Sequence, residues 1–165
     1  AQTLVYSLKK DELFSGLKEE EKDYVCGKIL NEVKGRMLED IVLMETAKKL
    51  NPKRYRVFKL KFVAGEFDMV IYDREKNVCG IYEIKHSDKS DANQYRHLAD
   101  ADKCEQTERR FGQIVSKAVL YRGESFETEN GIAYRNVEEY LKNDIVDFSL
   151  EQVMGNDIQS GMDLI

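Results

Sequence analysis

Gly65-Glu66-Phe67-Asp68-Met69-Val70-Ile71-Tyr72-Asp73, then Arg74-Glu75-Lys76-Asn77, then Val78-Cys79-Gly80-Ile81-Tyr82-Glu83-Ile84-Lys85-His86: this stretch decides the fold. Two apolar runs flank a short polar turn, which predicts a β-hairpin. Strand side chains alternate between faces, so Glu83 and Lys85 share one face and Tyr82 and Ile84 the other. Asp68 lies on the preceding strand, one hairpin length away. Two acids and a lysine can therefore meet on one patch of sheet.

Working outward, Tyr55 to Val63 sets Tyr55, Val57, Phe58, Leu60 and Phe62 against Arg56, Lys59 and Lys61, a strand with one basic face. Gly65 turns it into the Asp68 strand, which predicts a three-stranded antiparallel meander. Upstream, Val25, Ile29, Leu30, Val33, Met37, Leu38, Ile41, Val42 and Ala47 follow a helical rhythm from about Asp23 to Leu50. Gly35 interrupts that rhythm and is expected to mark a kink or a close contact. Asn51-Pro52 ends the helix. Before it, Leu4, Val5, Leu8, Leu13 and Phe14 fit a short helix, with a break near Ser15-Gly16 and a solvated charge run from Lys18 to Lys22.

Downstream, Ser87 to Asp91 is a polar loop in which Ser90 or Asp91 can cap a helix. That helix is expected to reach Phe111, with a break near Asp100-Ala101-Asp102 and Gly112 as its C-cap. Ile114 to Tyr121 reads as a buried strand, Ile132-Ala133-Tyr134 as a short edge strand, and Val137 to Leu141 as a short helix. The tail from Asp144 is mixed and polar. The order α-β-β-β-α-β predicts one α/β domain over residues 1–165, a mixed sheet flanked by helices, with its core at about 24–142.

Composition agrees with one globular domain: 165 residues, of which 42% are hydrophobic and 35% charged, are enough to bury a core. No apolar run approaches a membrane span, and the start carries no signal-peptide pattern, so a cytoplasmic protein is expected. Ala1 stands where an initiator methionine would, which fits a fragment of a longer chain. The net charge of −5 argues only mildly against nucleic acid, because phosphate contacts need local cations rather than a basic average. Cys26, Cys79 and Cys104 are scattered, and His86 and His97 are the only histidines, too few ligands at suitable spacing for structural zinc. The cysteines read as reduced core thiols.

The hairpin acids carry the chemistry. Two carboxylates about 4 Å apart repel by about 4 kcal/mol at an effective dielectric near 20. Convergence of Asp68 and Glu83 therefore calls for a divalent cation, Lys85 or a shared proton. An oxygen-rich, histidine-poor cluster suits Mg²⁺ or Mn²⁺. If the acids are packed together, Asp68→Asn should stabilise the cation-free protein. Glu39 on the long helix is either a flank acid facing solvent or, if the helix crosses the sheet, a third member of the cluster. Glu66 is a rival ligand two residues from Asp68. Lys59, Lys61, Arg96, Arg109 and Arg110 are candidates for a phosphate-binding rim. For each residue taken singly, a structural or solvated role remains open: a hairpin salt bridge for Lys85, loop packing for His86, core packing for Tyr121.

Asp68, fourteen residues, then Glu83-Ile84-Lys85 resembles the PD-(D/E)xK motif of restriction-endonuclease-like nucleases. More closely, Gly35-Arg36-Met37-Leu38-Glu39-Asp40-Ile41-Val42, Gly65-Glu66-Phe67-Asp68 and Ile81 to Ser87 resemble the nuclease-like C-terminal domain of a family of prokaryotic AAA+ ATPases. The similarity continues through Gln94 to Leu98 and Val119 to Gly123, and covers roughly residues 4–142. The resemblance implies a restriction-endonuclease-like core with Asp68 and Glu83 as metal ligands, Glu39 as an auxiliary ligand and Lys85 as the catalytic lysine. The Ile84 carbonyl would be a further ligand, and Gln94 is the candidate for a glutamine lining the site. It implies Mg²⁺ or Mn²⁺ as cofactor, DNA as substrate and an ATPase domain in the same polypeptide as partner. Phe67 replaces the proline of the motif name, and no nucleotide-binding loop is present in this chain. The alternative is a catalytically silent module that binds DNA or protein and regulates the ATPase.

Overall fold

The computed structural model describes residues 6–7, 9–10 and 14–142. The expectations for Leu4, Val5, Leu8, Leu13 and the tail from Asp144 fall outside the described residues. A long helix, α1 (Glu19–Lys49), opens the fold, with Glu19, Glu20 and Glu21 in its first turn and Lys48 and Lys49 in its last. Each charge set opposes the helix dipole at its own end. The charge run is thus the start of the helix itself, and the turn at Ser15-Gly16 precedes it. Gly35 neither kinks α1 nor packs closely. The helix runs unbroken for 31 residues, and a Cβ at Gly35 would meet nothing within 4 Å.

The sheet has six strands: β1 (Tyr55–Lys61), β2 (Glu66–Asp73), β3 (Val78–Ile84), β4 (Gln113–Tyr121), β5 (Phe126–Glu127) and β6 (Ala133–Asn136). Their spatial order is β1-β2-β3-β4-β6-β5. The first three strands form the expected antiparallel meander, and β4 and β6 then add in parallel. The Ile132–Tyr134 segment is not an edge: β6 lies between β4 and a two-residue β5. Phe126 of β5 stacks on Tyr134 with ring centroids 4.6 Å apart, so the loop after Tyr121 folds back and covers that strand.

Between β3 and β4, Asp91 caps a 3₁₀ turn (Ala92–Tyr95) and Asp100 caps α2 (Ala101–Phe111). The expected break near Asp100 is therefore real, and the N-cap carboxylate, which accepts from the Lys103 N–H, is its cause. A short α3 (Val137–Lys142) ends the described chain. The helices cover opposite faces. Val42 of α1 and Val137 of α3 pack with Met69, Ile71, Tyr82, Ile84 and Leu120. Phe111 of α2 and Leu98 pack with Val70, Cys79, Ile81, Val119 and Tyr134. Tyr82 and Ile84 thus lie under helices as their alternation requires. Cys26 and Cys79 are buried and Cys104 is half-buried, all as free thiols. Burial pushes the Cys79 thiol up to about 12. Among the described residues no helix is long and apolar enough to cross a membrane.

The hairpin turn is pinned from both sides. Buried Asp73 accepts from the Arg54 guanidinium at 2.6 Å and from the N–H groups of Glu75 and Lys76. Burial pushes the Asp73 carboxyl up, but the bonds from Arg54, Lys76 and Glu75 outweigh it and hold the carboxyl below its usual range. On the other side Gly112, with φ +71°, closes α2 directly against the backbone of Asn77. A Cβ at Gly112 would stand 1.7 Å from the Asn77 carbonyl oxygen. Gly112→Ala is therefore expected to destabilise the fold by about 2 kcal/mol or more, since it adds a backbone clash to left-handed strain. Urea unfolding measures this, and an unchanged midpoint would show that the turn and α2 do not touch in solution.

Candidate functional site

The site begins with an irregularity in β2. Phe58 pairs with Val70, but Leu60 pairs with Phe67, so β2 advances three residues while β1 advances two. The extra residue is a β-bulge at Asp68-Met69. It shifts the side-chain phase, and Phe67 joins Val70 on the α2 side of the sheet while Met69 stays on the α1 side. Bulges re-aim side chains where pairing stops. The β2–β3 ladder indeed ends at Met69 and Tyr82. Beyond it, Asp68 Oδ2 accepts the Ile84 N–H at 2.8 Å, a side chain standing in for the next ladder carbonyl.

The acids and the lysine meet there. Lys85 Nζ donates to Glu83 Oε2 at 2.5 Å and to Asp68 Oδ2 at 3.1 Å. Asp68 is 6% and Glu83 2% exposed, so one ammonium serves two buried carboxylates. The two acids are not equally satisfied. Among buried side-chain oxygens and nitrogens of the described residues, Glu83 Oε1 alone has no partner. Burial, and then the Asp68 charge, push the Glu83 carboxyl up to about 8 against the opposing pull of Lys85. Burial pulls Lys85 down, but Asp68 and Glu83 outweigh it and raise it above its ordinary value.

A groove of about 890 Å³ opens at this cluster. Asn31, Glu32, Gly35, Arg36, Glu39 and Asp40 of α1 form one wall, and Lys59, Lys61 and Glu66 form another. Ile84, Lys85, His86, Ser87 and Gln94 line its end. Glu39 does cross the sheet to this side, but it binds Lys59 at 2.7 Å rather than joining Asp68 and Glu83 by any hydrogen bond. Burial works against the Lys59 charge, and Glu39 outweighs it. Among the described residues, no three His, Cys, Asp or Glu side chains stand close enough to hold a metal ion. The donor set itself fits a hard divalent cation: two buried carboxylates, one oxygen of which lacks a partner, lie behind Lys85, which lines the groove together with the Glu39 carboxylate. Mg²⁺ commonly takes one or two protein carboxylates and completes its shell with water and phosphate.

The expected basic rim divides. Lys59 and Lys61 line the groove, whereas Arg96, Arg109 and Arg110 do not. Arg109 and Arg110 sit in the last turn of α2, which packs on the opposite face of the sheet from α1, and Arg109 pairs with Glu105. Gln94 reaches the groove, with its amide bonded to the Lys89 carbonyl and the Asp91 N–H. Tyr121 is buried, its hydroxyl donating to the Glu124 carbonyl. Four groove residues were not singled out in the sequence: Asn31, Glu32, Arg36 and Asp40. Arg36 lies one turn before Glu39, so helical spacing alone was signal enough to find it. Compared with known protein families, curated proteins and solved structures, the chain matches none.

Relief of acid repulsion falls on Glu83 rather than Asp68, which has two donors to lose. The folded protein holds a Glu83 proton that the unfolded chain releases, over the window from the ordinary 4.5 up to about 8. Stability of the cation-free protein is therefore expected to fall as pH rises through that window. Thermal melts in EDTA across it measure the slope, and Glu83→Gln should flatten it. Equal slopes for the two proteins would show that Glu83 does not titrate there. Lys85→Met should lower stability by about 3 kcal/mol at the upper end of the window, because it strands two buried acids. Chemical unfolding at that pH checks it.

Proposed function

We propose that this chain is a PD-(D/E)xK nuclease-like domain with a restriction-endonuclease-like core, hydrolysing phosphodiester bonds of DNA with Mg²⁺ or Mn²⁺. The observation that carries the reading is the Lys85 ammonium set between buried Asp68 and Glu83 at the end of a polar groove. Asp68 and Glu83 would hold the cation, with Glu39 as the auxiliary acid. Once bound, the cation supplies Lewis-acid polarisation of a phosphoryl oxygen and lowers the pKa of water. The chain's own residues do the rest. Lys85, relieved of its role as counter-ion to the acids, offers an ammonium to a developing phosphoryl charge. Lys61 offers a cation on the groove to a phosphate backbone, and Arg36 and Lys59 add to it only by giving up Glu32 and Glu39, contacts that position a strand without reading its sequence. In this reading the domain acts in the cytoplasm beside an AAA+ ATPase domain of the same polypeptide.

A second reading keeps the fold and drops the chemistry: a silent module that binds DNA or protein and regulates the ATPase. One observation favours it. Met37, Ile41 and Met44 recur at helical spacing on α1, are 57%, 42% and 50% exposed, and none of them lines the groove. An apolar surface apart from the acids fits a protein contact.

Calorimetric titration with Mn²⁺, together with cleavage assays on single-stranded, duplex and branched DNA, separates the two. The nuclease reading expects Mn²⁺ binding that Asp68→Asn abolishes, and cleavage that Lys85→Ala lowers by about 10²–10³-fold, the usual cost of losing one charge-stabilising group. A wild-type domain that neither binds Mn²⁺ nor cuts any of these substrates overturns it and leaves the silent module.

A further inference from the structure

The groove has one wall position with no side chain, and nothing in the fold requires it. Gly35 stands in the middle of α1, where glycine is the poorest helix former after proline. An interior helical glycine normally serves a kink, a positive φ or a tightly packed neighbour. None applies here. The helix is unbroken, Gly35 is not among the positive-φ residues, and an added Cβ would find open space. Gly27 on the same helix is equally free of steric demand. What distinguishes Gly35 is its surroundings.

On a helix, the neighbours of position 35 across the surface lie three and four residues away. Asn31, Glu32 and Glu39 stand at those spacings, Arg36 is adjacent in sequence, and all four line the groove together with Gly35. Gly27 does not line it. The missing side chain therefore leaves a notch in which the α1 backbone itself is the groove wall, between Asn31 and Glu32 on one side and Glu39 on the other.

The charges around the notch are largely spent on one another. Arg36 pairs with Glu32 at 2.8 Å, Lys59 with Glu39 at 2.7 Å, and Lys85 with the buried acids. Lys61 is exposed and has no ion-pair partner among the described residues. Long-range attraction is accordingly modest, and a bound strand depends more on close contact, whose dispersion gain vanishes once the surfaces are held apart.

We propose that Gly35 is a substrate-positioning residue: a DNA strand lies against the bare α1 backbone at this notch on its way to Lys85. This rests on the nuclease-like reading and adds the place where the strand meets the helix.

The test compares Gly35→Leu, Gly35→Ala and Gly27→Leu with the wild type. Binding of a fluorescein-labelled single strand and of its duplex is measured by anisotropy at low salt in EDTA. Both leucine variants should melt at or above the wild-type temperature, because each removes a poor helix former into open space. Gly35→Leu should weaken binding about tenfold or more, Gly35→Ala by less, and Gly27→Leu hardly at all. A Gly35→Leu protein that binds as tightly as a DNA-binding wild type overturns the inference and leaves the nuclease-like reading standing. So does equal weakening by Gly27→Leu. A wild type that binds neither probe also overturns the inference, while Mn²⁺ titration and cleavage decide the nuclease-like reading separately.

Discussion

Two buried carboxylates at the end of one hairpin share a single ammonium, and much of the surrounding structure holds that arrangement in place. Acids this close repel by an amount comparable to a large part of a domain's net stability, which is typically about 5–15 kcal/mol. Lys85 offsets the repulsion but is itself partly buried, so it needs the acids as much as they need it. The Asp68-Met69 bulge turns Asp68 out of its ladder, and the Ile84 N–H fixes where it lands. Asp73 and Gly112 clamp the far end of the same hairpin. Apolar layers on both faces bury the strands between.

The satisfaction of the two acids is unequal. Asp68 has a backbone donor and a lysine, whereas one oxygen of Glu83 has no partner at all. An orphaned buried oxygen is costly in a purely structural pair. The groove carries the same economy of charge. Glu39 is held by Lys59 on the wall and not by the cluster, so its part in any cation site depends on giving up that partner.

Much of this was legible from residues alone. The hairpin, the meander and the long helix follow from periodicity. The break at Asp100 follows from cap chemistry, and the pairing of Glu83 with Lys85 follows from the two-residue repeat of a strand. Other features were not. The bulge at Asp68 has no compositional mark, because it is a mismatch between two strands and not a property of either. The sheltering of β6 depends on Phe126 folding back to stack on Tyr134, a contact between segments with no shared pattern. Arg109 and Arg110 look like groove cations until α2 is seen on the other face of the sheet. Gly35 looks like a kink, since sequence shows a weak helix former and not what surrounds it.

By itself, the sequence determined the order of the main helices and strands, the alternation that puts Glu83 and Lys85 on one face of β3, and the residue types available for chemistry. These depend on local torsion preferences and on alternation, which act over a few residues. Only the tertiary structure decided that Asp68 reaches the Ile84 N–H, that Lys85 bridges both acids, that Glu39 is held by Lys59 and that Gly35 opens onto a groove. Each of these is a distance between separate elements, set by how the helices settle on the sheet and where strand pairing slips. No local pattern carries that information.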